Sequence, residues 1–460
     1  MNQFLKRARI DRPLWRWIPT IAAMLLLAAV VHHFDHHTSS QLLMANSFEV
    51  VDWLMQESLD VLVNILGLAS YGNTDVQKEF EHDFAPGETV RVPFPASFLI
   101  RDGLAYTAQG INKRHTTVSC TDIFGIDFEW DSFEQALKLE RPKDELKKNY
   151  VDEPMAELAQ EIENRFANWC RYNTSTVVGT LGTAVTTFDA ISGAARQQLV
   201  NRGCPASGDR GMFVGTQIMR DLRTSVATAF NPVTDVSKAL RTGIIGYGDG
   251  FDWHESVSLY QHTAGTWAGA VTVTSSGMAQ GATSMTITAT AGDTFNRGDK
   301  FSIASVNPTN PRTRRKVGSS ANTFTVTADL VAAGGGADTL NFWPPIYGPG
   351  NPYQNVDAMP VAAAALTLWP GTSSPNGKTG TVNLALHRNA FAIVNVPFDN
   401  PKEGGNVRIA RTLKDEETGI SISLLRMFDG YYRKWINRFD VCLGFGNLYS
   451  DNCAVAIAGL

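Results

Sequence analysis

Apolar positions recur with a helical period from Phe48 to Leu68: Val51, Leu54, Met55, Leu59, Leu62, Val63 and Leu66 share one face, and Gly67, Gly72 and Asn73 end the run. Its polar face carries Glu49, Asp52, Glu57 and Asp60 rather than basic residues, so an anionic lipid surface is a poor partner. A longer helical period spans Glu153 to Tyr172. Met155, Leu158, Ala159, Ile162, Phe166, Trp169 and Cys170 form its stripe, with Asp152 as N-cap and Glu153 and Pro154 in the first turn. Glu157, Glu161, Asn164, Arg165 and Asn168 lie opposite, and at 1.5 Å per residue the helix is about 30 Å long. Between the two helices the period drops to two. Thr89 to Phe94 alternates, with Pro93 and Pro95 confining it to an edge or an extended loop. Ile123, Gly125, Asp127 and Glu129 alternate with Phe124, Ile126, Phe128 and Trp130. Turns at Pro86-Gly87 and Arg101-Asp102-Gly103 complete a long two-stranded projection, which is marginal alone and needs a surface to lie on.

Further along, helices are expected at Thr187 to Val200 and Gln217 to Phe230, and a strand at Arg210 to Thr216. Leu240 to Phe251, punctuated by glycines, leads into Trp253 to Leu259. From Trp267 to Trp343 the chain becomes rich in Thr, Ala, Gly and Ser, alternates like β-sheet and centres on Phe295-Asn296-Arg297-Gly298-Asp299-Lys300-Phe301. A segment of this kind inside a mixed chain reads as a small β-domain inserted into a larger host. After it come a helix or strand at Val361 to Leu368, a strand at Val382 to Leu386, and a closing antiparallel set at Ile420 to Leu425, Ile436 to Leu443 and Ala454 to Ala458.

With 460 residues, 43% of them hydrophobic and 18% charged, the chain is long enough for two or three domains with a sizeable core. A net charge of −5 argues against a surface built to neutralise many phosphates. Cys120, Cys170, Cys204, Cys442 and Cys453 are odd in number and widely spaced, which fits buried free thiols in a reducing compartment rather than a disulfide framework or a zinc site. The N-terminus points elsewhere: Lys6, Arg7, Arg9, Arg12 and Arg16 precede an apolar stretch from Ile18 to Val31, a pattern like that of a signal anchor. That stretch is short for a span, contains Pro19 and lacks a cleavage site just downstream. His32, His33, His36 and His37 follow without a carboxylate or Cys shell except Asp35. Met44-Ala45-Asn46-Ser47 looks like a translation start, and residues 1–43 are read as an extension from a misassigned upstream start.

Each approach to a catalytic motif fails for a physical reason. Gly377-Lys378-Thr379 resembles the end of a phosphate loop, but Gly371 stands one residue too far away and a strand follows instead of a helix. His254-Glu255 opens like a zinc-protease motif, yet position 258 is Ser. Gly246-Tyr247-Gly248-Asp249-Gly250 lacks the spacing of a dinucleotide fold, and no G-x-S-x-G elbow occurs. The acid pairs Asp144/Glu145, Asp249/Asp252 and Glu416/Glu417 read as solvated faces. Arg297-Gly298-Asp299 is first a turn, with Gly at a position that could require positive φ, and only then an adhesion tripeptide. Arg312, Arg314, Arg315 and Lys316 form a basic run, placed either against an acidic neighbour or in solvent. No catalytic, cofactor-binding or metal-ligating residue is assigned, and no cofactor is expected.

The order of elements, the Arg297-Gly298-Asp299-Lys300 turn running into Phe301-Ser302-Ile303, the run Asn383-Leu384-Ala385-Leu386-His387-Arg388-Asn389-Ala390-Phe391, and Thr418-Gly419-Ile420-Ser421 with Asp429-Gly430 before a hydrophobic terminal strand resemble the major capsid proteins of tailed bacteriophages. The likeness is to the Hong Kong 97 fold, in the Salmonella-podovirus type that carries an inserted β-domain, and it covers about Met44 to Leu460. It implies an α+β fold with peripheral and axial subdomains. The corresponding segments are an N-terminal arm (44–85), a hairpin E-loop (86–140), a spine helix with the first part of the capsid body (141–265), an inserted all-β domain (266–345) and the remaining body (346–460). It also implies self-assembly through pentamers and hexamers into an icosahedral shell around double-stranded DNA, in a virion built in the host cytoplasm. Phe94, Phe98 and Phe128 would be buried between subunits, and the β-domain would stabilise the subunit or fix contacts between capsomers. Scaffolding and portal proteins would be partners, DNA would be met without sequence-specific binding, and no membrane is expected. The competing class is an exported or membrane-anchored surface protein with an adhesin-like β-domain presenting Arg297 to Asp299.

Overall fold

A computed structural model describes residues 55–76, 89–101, 103–104, 108–110, 114–131, 151–185, 187–206, 208–229, 246–267, 269–274, 277–318, 320–335, 338–369, 377–398, 407–415 and 419–460. The expectations placed on residues 1–54, including the histidine pairs and the Met44 start, lie outside these, as do Asp144/Glu145, Gly371 and Glu416/Glu417. The architecture below is that of Leu59–Leu460.

The long helix Glu153–Asn173 touches strands of three sheets. Met155, Leu158, Ala159, Ile162, Phe166 and Cys170 are buried along it, as their spacing predicts, while Trp169 is half-buried. Asp152 differs from expectation: its backbone is already helical and its side chain makes no capping bond, because the helix is entered through a wider turn at 151–152. Pro154 does sit in the first turn.

The first sheet is antiparallel and runs, from one edge, Thr89–Pro93, His115–Asp131, Lys434–Asn447, Ser421–Asp429 and Val407–Lys414; Phe391–Asn395 also pairs with Lys434–Asn447. The proline-bearing strand lies at the edge, where a missing N–H costs least. The two-stranded projection expected from Thr89 to Trp130 is paired as such only at its root. Thr89–Pro93 pairs only with His115 to Ser119, and the rest of the long strand pairs along Lys434 to Phe445. A two-stranded ribbon is marginal in water, and the partner that relieves this is supplied from the far end of the chain.

The second sheet is mixed: Thr176–Gly179, Ala454–Ala458, Thr379–His387, Arg210–Val214, Phe251–Glu255 and Tyr247–Gly248, with Gln261–Thr263 also on Thr379–His387. Ala454–Ala458 therefore does not extend the closing antiparallel set of the first sheet. All five of its residues are buried, and an uninterrupted apolar run is what a strand covered on both faces needs. Helices Phe188–Asn201 and Thr216–Ala229 match the expected positions.

The third sheet runs Leu366–Leu368, Lys300–Ile303, Thr323–Val326, Asp338–Ile346, Ala282–Thr288 and Thr272–Val273, with all pairs antiparallel. It has its own core, in which Phe301, Phe324 and Phe342 pack with ring centroids 5.5–6.2 Å apart over Ile287, Ile303 and Leu340. Leu366–Leu368 completes this sheet from beyond the compositional break at Trp343, because its alternating apolar residues close an otherwise open edge beside Phe301.

Candidate assembly site

The 272–368 sheet meets the C-terminal end of the long helix around Lys300. Lys300 is buried, and its Nζ donates to the carbonyls of Arg171 (3.0 Å) and Thr174 and to Thr325 Oγ1 (2.8 Å). The Thr325 hydroxyl in turn donates to Thr174 O at 2.8 Å. Carbonyls at a helix C-terminus lack intrahelical donors and carry the negative end of the macrodipole, so strand residues from the third sheet cap the helix. Burial, and then the nearby Arg171 charge, push the Lys300 pKa down to about 7.

The turn that delivers Lys300 is the one expected at Arg297 to Lys300. Gly298 has φ +96°, and a Cβ there would stand 3.0 Å from the Tyr172 ring. The Asp299 carboxylate accepts from Asn296 N (2.8 Å) and Gly265 N (3.0 Å) and pairs with His262 Nε2 at 2.8 Å; the residue is 1% exposed. Arg297 lies over the Tyr172 ring, 4.3 Å from its centroid. An adhesion tripeptide needs its Asp free for a receptor, and this one is spent inside the chain, which removes the basis of the adhesin-like reading. The void at the junction is about 10 Å³, room for no more than a water.

A second junction holds the root of the loop between Thr89–Pro93 and His115–Asp131. The Arg114 guanidinium lies 5.2–5.4 Å from the ring centroids of Phe94, Tyr347 and Tyr353. Ser97 Oγ donates to Pro352 O at 2.8 Å, and Arg314 Nη2 donates to Phe98 O at 2.7 Å. Within the loop, Gln109 bridges both backbone groups of Leu99. Arg314 of the basic run thus holds a backbone carbonyl of this chain's own loop. Of the aromatics expected between subunits, Phe94 packs edge-on to Tyr449 at 5.2 Å and Phe128 stacks on Phe439 at 6.0 Å, both within the subunit. Phe98 is exposed, as are Ile100 and Leu104.

Glu163 anchors the chain entering the fold. Its carboxylate accepts from Gly67 N (2.9 Å), Leu68 N (3.0 Å) and Ala69 N (2.8 Å), while burial pushes its pKa up against those three donors. Glu163 falls four residues after Ala159, so an acid on the apolar stripe was the available sequence signal.

The residues of the near-miss motifs do not converge. His254 stacks on Phe213 with its Nε2 3.4 Å from Tyr71 Oη, and burial lowers its pKa. Asp252 accepts from Tyr71 Oη, whereas Asp249 pairs with Arg196 at 2.8 Å. Thr379 opens a strand, so no helix N-terminus faces Lys378. A cleft of about 390 Å³ between helix Phe188–Asn201 and the third sheet is lined by Gln197, Gln198, Ser302 and Trp369; Arg202, the charged lining residue among the described residues, bonds Asn322 Oδ1 at 2.8 Å. Among the described residues no group of His, Cys, Asp and Glu is arranged to hold a metal ion, and no helix is long and apolar enough to cross a membrane.

The family model described as "P22 coat protein - gene protein 5" matches residues 129–457, well over half of the chain. The chain belongs to the P22 coat-protein family. It is a major capsid protein of a tailed phage, its place is the shell of the virion, and its fold is a phage-capsid fold of mixed helices and sheets. Among solved structures it is similar to one titled Mycobacterium phage Che8 (13% identity, 85% of this chain and 90% of that chain, TM-score 0.43). It is also similar to the capsid of Ralstonia phage GP4 (9% identity, 86% and 87% covered, TM-score 0.40) and that of cyanophage P-SCSP1u (12%, 82% and 85%, TM-score 0.39). The family match, and not these looser likenesses, carries the assignment. No curated protein matches the chain in sequence.

Proposed function

We propose that this coat protein builds its shell through the loop rooted at Arg114 and Arg314. Residues 86–140 serve as the projecting loop, Glu153–Asn173 as the spine helix, 44–85 as an arm, and the 272–368 sheet as an inserted module that stabilises the subunit and bears on contacts between capsomers. Pentamers and hexamers are the building units. Scaffolding and portal proteins are partners, and the net charge of −5 favours packaged DNA that is enclosed without being gripped.

One observation carries the proposal: the loop is fixed at its root yet presents Phe98, Ile100 and Leu104 at 51%, 86% and 99% exposure. Apolar area is worth about 25 cal/mol per Å² when removed from water, so a neighbouring copy that covers these side chains is favoured at every repeat of the interface. Replacing Phe98, Ile100 and Leu104 together by Asp tests this. The variant is expected to keep the parent's circular dichroism and to form no shells by negative-stain microscopy. Shells like the parent's would defeat the loop assignment. Mass spectrometry of the particle's coat chain tests the extension, a start at Ala45 being expected.

A further inference from the structure

Cys120 and Cys442 lie 322 residues apart in sequence, on neighbouring strands of the first sheet, and their sulfurs are 2.9 Å apart. Two local features bring them together. The register shifts between Cys120 and Asp122, a bulge that turns Cys120 towards the face carrying Cys442. Opposite Cys120 stands Gly444, where any Cβ would fall 2.4 Å from Ser119 O and 2.9 Å from Cys120 Cα. The strands therefore approach closely with no side chain between the sulfurs. Both cysteines are 1% exposed in a cluster with Val90, Val118, Val394 and Val396. Their mutual hydrogen bond pushes the Cys442 pKa down and that of Cys120 up, and either sulfur can be its donor.

We propose that Cys120 and Cys442 form an oxidation site, in which a small peroxide converts the two thiols into a disulfide within the subunit. Cys442 Sγ attacks one oxygen of hydrogen peroxide, the O–O bond breaks, and sulfenic acid and one water result, the thiol proton leaving with the departing oxygen. Cys120 Sγ then displaces the hydroxyl from the Cys442 sulfur, its own proton leaving with that hydroxyl as the second water. Two thiols and one peroxide become one disulfide and two waters, with sulfur supplying both electrons. The oxidant must be small because both sulfurs are enclosed.

The bond ties the root of the loop strand His115–Asp131 to Lys434–Asn447, the strand through the middle of the sheet. Its use rests on the shell reading: subunits fold with free thiols in a reducing cytoplasm, and released particles meet oxidant outside it. A crosslink closing so long a loop restricts chiefly the unfolded chain, so it strengthens the subunit without moving its folded parts.

The test treats the full-length protein, as dissociated subunits and as particles, with hydrogen peroxide, then unfolds it and alkylates the remaining thiols. Cys120 and Cys442 are expected to escape alkylation and to appear in one joined peptide that a thiol reductant separates. Oxidised protein should unfold at higher urea than reduced protein, and Cys120→Ser should abolish both the joined peptide and that difference. Cys120→Ser should also leave a Cys442 sulfenic acid that dimedone traps when it is present as the chain is unfolded. Continued alkylation of both cysteines in the wild type, or crosslinks from either only to other cysteines or other subunits, would overturn the proposal. Thiol mapping does not depend on assembly: linked thiols without shells count against the shell reading alone, and well-formed shells with both thiols free count against this site alone.

Discussion

Replacing Lys300 by Met keeps the unbranched apolar stem, one atom shorter, and removes a donor that joins the third sheet to the long helix. In the wild type Nζ meets Arg171 O, Thr174 O and Thr325 Oγ1. In K300M, Thr174 O keeps the Thr325 hydroxyl, whereas Arg171 O loses its Lys300 donor. An acceptor left facing a buried thioether costs about 1–3 kcal/mol. Losing a cation at a partly buried helix C-terminus adds up to about 2 kcal/mol. Relief of the lysine's own desolvation acts in the opposite direction. The net expectation is a loss of about 2–3 kcal/mol, read as a lower urea midpoint by tryptophan fluorescence, together with faster amide exchange in the last turn of Glu153–Asn173. Unchanged exchange in that turn and a midpoint equal to the wild type's would refute the capping argument.

The same lysine sets a pH dependence. Its folded pKa of about 7 lies below the 10.5 of the unfolded chain, so between these values the unfolded state binds the extra proton and stability rises with pH. Measured against K300M, the wild type should gain stability from pH 7 to 10, and a falling difference would contradict the burial of Nζ. Gly298→Ala places a Cβ at positive φ beside Tyr172 and should cost about 1–3 kcal/mol by thermal unfolding. Phe301→Ala empties a fully buried ring site in the core of the third sheet, for an expected loss of about 3–5 kcal/mol in the unfolding of that sheet. Arg314→Ala frees Phe98 O and should change global stability by less than about 1 kcal/mol while speeding proteolysis within residues 94–110.

The elements themselves were legible in the chain. The stripe from Met155 to Cys170, the alternation around Ile123 to Phe128, the proline-marked edge at Pro93 and the Gly298 turn each follow from steric and burial rules that act over a few residues. Partner choice was not legible. Nothing near Ile123 announces that its strand will lie along Cys442, and nothing in Ala454–Ala458 says which sheet it will enter. The candidate site divides in the same way: the Arg297 turn and the basic run at Arg314 could be marked in advance. Lys300 as a helix cap, Arg114 among three rings and Glu163 on three backbone amides could not. Periodicity records which face of an element is dry, a local property. A buried charge or thiol acquires its role from groups hundreds of residues away, so it was the tertiary pairing that turned a charged residue inside a strand into a helix cap and two distant cysteines into neighbours.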